Sequence, residues 1–309
     1  MSAAHADGRP ELRFGRYTVT VGKAGKLLFP GDGFTKLDIV EHYRRVASAM
    51  LPHIAGRPVT LQRFPDGIGA GGFFQKQASG HFPEWIERVR MPKAGGTVDH
   101  VVVRRAADLA YLVDQGTITF HGALSPAAHL DRPDRLVFDL DPSVDDFEAV
   151  RDGARILREL LDDLDLVPYL MTTGSRGLHV VVPVAGTETF DEIEPLAEGV
   201  AQAVVTREPD RYTVAHRKAR RGDRVLVDWF RNAYAQTAVS PWSLRPRPGA
   251  PVAVPIPWGE LDDPALSGRR YRIGDVEALV EDRPDPWAGM ARRARSTAKA
   301  RRRLGRTSG

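Results

Sequence analysis

The chain has 309 residues, 42% of them apolar, which is enough for one large core or two joined modules and argues against a disordered chain. It has no cysteine, so disulfides and thiolate metal centres are excluded; any metal must take oxygen or imidazole ligands, which suits Mg²⁺ or Mn²⁺. Of the 44 Lys and Arg, eight lie in residues 290–309, a stretch without acid, so the other 36 face 40 Asp and Glu and the net charge of +4 is a tail effect.

That tail, 290–309, is expected either as a solvated, partly helical end or as an arm that holds DNA. No apolar run approaches the roughly 20 residues that span a bilayer, and the polar start MSAAHADGRPELR lacks the apolar stretch of a signal peptide. A cytoplasmic protein with no membrane partner is expected.

Residues 1–12 show no periodicity and are expected to be disordered. RYTVTVG reads as a strand and KAGKLLFPGDGF as a loop. Thr35 can cap the next helix with Asp38 reaching back, and Ile39, Val40, Tyr43, Val46, Ala47 and Met50 form its buried stripe, ending before Pro52. PVTLQRF (58–64) is a strand and DGIGAGGFFQK (66–76) an irregular glycine-rich loop carrying two aromatics. HFPEWIERV starts a short helix, HVVVRR (100–105) is a strand, AADLAYLVDQ is a helix that Gly116 terminates, and TITFH is a strand running into His121.

An acidic strand at 135–141 follows, then an amphipathic helix at 146–164. LHVVVPV (178–184) is a strand covered on both faces, and 191–205 is a helix with Pro195 near its first turn. RVLVDWF closes the series. From Pro241 to Pro264 there are seven prolines, so this stretch is expected to wrap in extended form over the sheets. The alternation gives a mixed α/β or α+β class, with the three acidic or polar strands as neighbours in one sheet.

A strand alternates its side chains, so Asp139 and Asp141 in VFDLDP share a face while Leu136, Phe138 and Leu140 take the other. In VLVDWF, Asp228 leaves the row of Val225, Val227 and Trp229 and can supply a third carboxylate. Three carboxylates can hold two divalent ions about 3.5–4 Å apart, the arrangement for phosphoryl transfer from a nucleoside triphosphate. Taken alone, an Asp-x-Asp at a strand end is more often a turn or a solvated edge. Between the acidic strands, TTGSRGLH enters a strand through a glycine turn whose N–H groups, with Ser175, Arg176 and His179, can face phosphate oxygens.

VFDLDP, TTGSRGLH and VLVDW, together with KLLFPGDGFTK, GGFFQK, HFPEWI, RNAYAQTAVSPWSLRPRPGAPVAVPIPW and DPWAGM, resemble the archaeo-eukaryotic primase superfamily. The likeness is greatest to the polymerase domain of bacterial DNA ligase D and its stand-alone relatives, and it covers roughly residues 11–304. It implies a primase-polymerase core over 13–289 with two β-sheet modules flanked by helices: an N-terminal module at about 13–130 and an RRM-like catalytic module at about 131–289.

By that resemblance Asp139, Asp141 and Asp228 are the metal ligands, with Asp228 holding the ion that activates the attacking hydroxyl. Ser175 and His179 bind the incoming nucleotide, and Arg221 and Arg245 contact its triphosphate. His121 lies beside its sugar, where a donor near the 2′-oxygen favours ribose. Phe73 and Phe74 stack on the template. Lys26 and Lys36 recognise a 5′-phosphate on the downstream strand.

The expectation is a template-dependent nucleotidyltransferase, a nucleoid-associated DNA polymerase that uses Mn²⁺ or Mg²⁺ and adds NTPs or dNTPs to a primer. Its partner is DNA in gapped duplexes or broken ends, in gap filling or double-strand break repair. No lysine lies in a K-x-D-G setting, so the chain resembles the stand-alone form, and a bacterial Ku homodimer and a separate DNA ligase are implied as partners. Three rivals differ in what an assay would read. A de novo primase starts without a primer, a catalytically silent DNA-end binding module extends nothing, and a metal-dependent phosphatase or nuclease shortens the primer.

Overall fold

The computed structural model describes residues 3–4 and 9–307. The chain divides into two compact units that are interleaved in sequence. The first takes residues 1–122, 239–253 and 271–283, and the second takes 123–238, 254–270 and 284–309. The proline-rich segment is therefore shared between the units, so a single cut near residue 130 does not describe the division. Among the described residues no helix is long and apolar enough to cross a membrane.

In the first unit, β1 (Pro10–Phe14) and β2 (Tyr17–Thr20) form an antiparallel hairpin around Gly15, whose φ of +59° suits glycine. Ala3–Ala4 pairs with the start of β1. The disorder expected for residues 1–12 is thus corrected for 10–12, because Leu12 is buried opposite Val19; residues 1–2 and 5–8 lie outside the described residues.

Helix α1 (Lys36–Ile54) opens with the expected box. The Thr35 hydroxyl accepts from the Asp38 N–H, and the Asp38 carboxylate accepts from the Thr35 N–H at 2.7 Å. Its predicted stripe is buried. The helix does not stop before Pro52, since proline removes only its own N–H and Ala55 still donates to the Leu51 carbonyl at 2.9 Å.

Five antiparallel strands of this unit belong to a six-stranded sheet whose sixth member is Thr237–Val239, at the edge beside β7: β3 (Arg57–Arg63), β4 (Phe73–Gln75), β5 (Glu87–Lys93), β6 (Gly96–Val103) and β7 (Thr117–Ala123). Their order is β7-β3-β6-β5, with β4 on the far half of β3. Helix α2 (Ala106–Asp114) packs against α1 and ends at Gly116, φ +90°.

Two expectations are revised in this sheet. The glycine-rich 66–76 is irregular only in part: its end, Phe73–Gln75, pairs as β4, because Gly72 lets the backbone come so close to Arg63 that a Cβ would lie 2.5 Å from that carbonyl oxygen. Phe73 then pairs with Arg63. HFPEWIERV forms turns and then β5 rather than a helix, since β5 pairs with β6 along its whole length and tertiary pairing overrides local propensity.

The second unit is built on β8 (Arg135–Pro142), β9 (Tyr169–Thr172), β10 (Leu178–Pro183), β11 (Tyr212–Thr213), β12 (Val225–Asp228) and β13 (Pro255–Ile256), in the order β11-β12-β8-β10-β9-β13. All neighbours are antiparallel except β11 and β12. Helices α3 (Phe147–Asp163) and α4 (Phe190–Arg207) pack on each other and on this sheet, over the fully buried Phe138 and Leu140. The alternation that buries these two sends Asp139 and Asp141 to the other face.

The basic tail folds. Its helix α5 (Ala298–Thr307) lies against α4. Glu188 anchors the start of that helix by accepting from the Ser296 hydroxyl at 2.7 Å and the Thr297 N–H at 2.9 Å. Lys299 also reaches Asp165 at 2.8 Å, so part of the charge is spent inside the unit.

Candidate active site

Strand β8 lies between the two strands that matter, and its register is the basis of the site. Asp139 has Asp228 of β12 as its Cα partner on one side and His179 of β10 on the other. Directly opposed residues in antiparallel strands project to the same face, so three functional side chains form one row across three strands. Asp141, two residues on, shares that face.

Past Asp228 the strand ends in a 3₁₀ turn, Phe230–Asn232. Asn232 takes over the pairing that β12 abandons: its amide oxygen accepts from the Val137 N–H and its NH₂ donates to the Val137 carbonyl, both at 2.8 Å. This brings Arg231 back over the carboxylates, where Nε lies 3.2 Å from Asp228 Oδ2 and Nη2 lies 3.4 Å from Asp139 Oδ2. On Asp139 Oδ1, His179 Nε2 stands at 3.5 Å. Asp141 is held by Arg176 Nη2 at 3.0 Å and Arg221 Nη1 at 3.3 Å. His216 Nδ1 lies 3.9 Å from Asp228 Oδ1, which also accepts the Phe230 N–H at 3.0 Å.

Burial pushes the Asp228 carboxyl above the usual range, Arg231 opposes that shift, and the charge of Asp139 adds to it. Two carboxylates set opposite each other in a half-buried row call for positive charge, and hard oxygen donors in a chain without cysteine fit Mg²⁺ or Mn²⁺. Among the described residues, however, no three His, Asp or Glu side chains converge tightly enough to form a preformed metal cluster. The donor chemistry fits, while the spacing seen here is set by guanidinium groups.

Gly177 explains why SRGLH sits where it does. A Cβ there would overlap the Leu140 carbonyl oxygen, so only glycine lets this turn press on β8. The turn is closed by Thr173, whose N–H and hydroxyl both donate to the Gly177 carbonyl. A cavity of about 500 Å³ opens beside it, lined by Ser143, Ser175, Arg176, Ser267 and Arg269 among others. Three hydroxyls and two guanidiniums, set against the single carboxylate of Asp145, leave a lining of net positive charge suited to a polyanion.

The remaining predicted residues belong to the first unit. Phe73 and Phe74 are 50% and 61% exposed, so neither fills the core; Phe74 meets His121 edge-on at 5.5 Å and Arg63 lies over Phe73. Lys26 pairs with Asp66 at 2.6 Å, and the Lys36 N–H donates to the Lys26 carbonyl. Lys36 itself is largely buried, its ammonium donating to the Asp114 carbonyl at 2.8 Å and lying 3.2 Å from its carboxylate. The Arg245 N–H donates to the Pro251 carbonyl. Thus Asp139, Asp141, Ser175, His179, Arg221 and Asp228 share the second unit. Lys26, Lys36, Phe73, Phe74, His121 and Arg245 lie in the first.

Sequence reasoning missed Arg231, His216 and Arg269. Arg231 stands three residues after Asp228, and only the 3₁₀ turn makes that spacing point back at the strand. His216 and Arg269 come from segments with no periodic signal.

The model of the LigD primase-polymerase domain family matches residues 35–287. The multifunctional non-homologous end joining DNA repair protein LigD of Mycobacterium tuberculosis is 37% identical over 288 residues, covering 86% of this chain and 37% of that protein. LigD of Pseudomonas aeruginosa is 32% identical over 293 residues, covering 93% and 35%. The chain therefore spans about a third of the length of these relatives. Among solved structures, the polymerase domain of M. tuberculosis ligase D in complex with DNA matches with a TM-score of 0.83 at 34% identity, covering 89% of this chain and 99% of that one. On the match of the family model and the identity to its relatives, the chain belongs to the LigD primase-polymerase domain family.

Proposed function

We propose that this chain is a template-dependent nucleotidyltransferase that adds ribo- or deoxyribonucleotides to a primer 3′ end, in gap filling or in the repair of broken DNA ends. The observation that carries the reading is the opposition of Asp139 to Asp228 across β8 and β12, with Asp141 on the same face. Family membership supports it, as does the relative that was solved in complex with DNA.

In this reading Asp139, Asp141 and Asp228 would hold Mg²⁺ or Mn²⁺, which would supply positive charge against the developing oxyanions and make a hydroxyl more acidic. The protein's own groups do the positioning. Ser175, Arg176 and Arg269 receive the triphosphate in the cavity beside β8, and His179 orients Asp139 while facing the same anion. Arg221, pinned by the Ala215 and His216 carbonyls at 3.0 and 2.8 Å, keeps Asp141 aimed. In the first unit, Phe73 and Phe74 offer open faces to unpaired template bases, and His121, against Phe74, contacts the sugar. Lys26 takes a 5′-phosphate by exchanging its partner Asp66. A Ku-type end-binding protein and a ligase activity would complete the repair.

The test is a labelled gapped duplex incubated with Mn²⁺ and each nucleotide class, for the wild type and for Asp139→Ala. Primer lengthening that Asp139→Ala abolishes supports the proposal. Shortening, or no change under any metal, overturns it, and products on a primer-free template would assign de novo priming instead.

A further inference from the structure

Phe230 is 45% exposed, two residues after Asp228. An exposed phenylalanine alone carries little meaning. This one is held in place. Its N–H is bonded to the Asp228 carboxylate, and its turn is locked by the two bonds from Asn232 to Val137. Its ring is braced edge-on by His216 at 5.5 Å and Trp229 at 6.1 Å. His216 is itself exposed and reaches Asp228 at 3.9 Å. A braced, half-open aromatic surface is thus fixed beside the Asp228 carboxylate.

We propose that Phe230, braced by His216, is the platform on which the 3′-terminal base of the primer stacks. This rests on the polymerase reading above. A base is separated from its own 3′-hydroxyl by a single sugar ring. When that hydroxyl lies at Asp228, the base of the same nucleotide must lie beside the carboxylate, and Phe230 is the exposed aromatic there. The face of an aromatic ring accepts any base, so such a contact holds a primer terminus without reading its sequence. It is separate from the template aromatics, which belong to the other unit.

The test uses a primer–template duplex with 2-aminopurine at the primer 3′ end, titrated with the 309-residue chain without nucleotide or metal. Stacking on Phe230 changes the terminal probe's fluorescence on binding by the wild type and by Phe230→Tyr; Phe230→Ala loses that change, while a probe placed five nucleotides inward responds alike in all three. In extension assays Phe230→Ala raises the primer KM roughly five- to hundredfold, the range expected for one base–aromatic stack. An abasic primer terminus removes the difference between Phe230→Ala and wild type. An unchanged terminal probe signal in a folded Phe230→Ala protein, or an equal loss with abasic and normal termini, overturns the platform. Failure of the wild type to extend any primer would instead overturn the polymerase reading, which the binding titration does not depend on.

Discussion

Asp139 and Asp228 stand directly opposite each other on adjacent antiparallel strands, and one guanidinium, that of Arg231, lies 3.4 Å from the first carboxylate and 3.2 Å from the second. The pair is bought at a cost to the fold, because burial and like charge both oppose ionisation at this place. For Asp228 the folded-state pKa is raised. Its contribution to stability is therefore fully present below the ordinary carboxylate pKa and is lost as pH rises through the folded value. Asp228→Asn should thus unfold at a higher temperature than wild type at pH 7, with the gap closing below pH 4. On the polymerase reading, extension should fall on the order of 10²–10⁴-fold, the worth of activating the attacking hydroxyl, which the ion held by Asp228 would do. Calorimetry against pH and single-turnover extension check both parts.

Arg231 sits where cations would serve the same carboxylates. Arg231→Met should lower the melting temperature in chelator, because two facing carboxylates lose their shared partner. It should also tighten direct Mn²⁺ binding by a few-fold, about the 1 kcal/mol of a partly exposed ion pair. Isothermal titration with Mn²⁺ reads the second effect without any turnover; weaker binding in the variant would show that the guanidinium assists the metal instead of competing with it.

Gly177→Ala places a methyl group on the Leu140 carbonyl oxygen, which is backbone and cannot swing away. The expected loss is about 3 kcal/mol or more, as for a severe overpacking in a core. Urea denaturation should show a lower midpoint. Ser175→Ala on the same turn, with no such clash, should leave the midpoint within experimental error.

The two lysines should separate. Lys36 is tied to the Asp114 carbonyl and carboxylate with little exposure, so Lys36→Ala should cost about 1–3 kcal/mol of stability. Lys26 makes one ion pair with an exposed Asp66, and its loss should move the melting temperature hardly at all. Lys26→Ala should instead weaken binding to a gap carrying a 5′-phosphate relative to one carrying a 5′-hydroxyl, as read by fluorescence anisotropy.

His42 is fully buried on α1, with Nε2 3.0 Å from the Trp242 carbonyl. Burial is the main cause that brings its pKa down from 6.5 to about 4, and the nearby Arg45 adds to it. A depressed histidine gives stability that is present above its unfolded value and lost as pH falls through 6.5 toward the folded value of about 4. The loss for the whole step is about 3 kcal/mol. The difference in unfolding free energy between wild type and His42→Gln should shrink by that amount between pH 7 and pH 4.

The linear chain already determined much of this. The period-2 alternation in VFDLDP and VLVDWF is a local property of extended backbone, so Asp139 and Asp141 could be put on one face before any fold was known. The Thr35–Asp38 box and the stripe of α1 are local in the same sense, and all of them appear as expected. Where a segment's state depended on a distant partner, local patterning misled: the end of HFPEWIERV became a strand because β6 pairs with it from Glu87 on, and Phe73–Gln75 at the end of 66–76 became one because Gly72 lets it approach β3.

The register of β8 against β10 and β12, the turn that swings Arg231 over the carboxylates and the burial of Lys36 were decided only by the tertiary structure. Each depends on backbone hydrogen bonds or ion pairs between residues that composition and periodicity do not connect: 137 with 232, 139 with 179 and 228, 36 with 114. Periodicity orients a side chain about its own strand or helix axis. Which other side chain it then meets is set by long-range pairing, where one residue of slip would turn Asp228 to the opposite face.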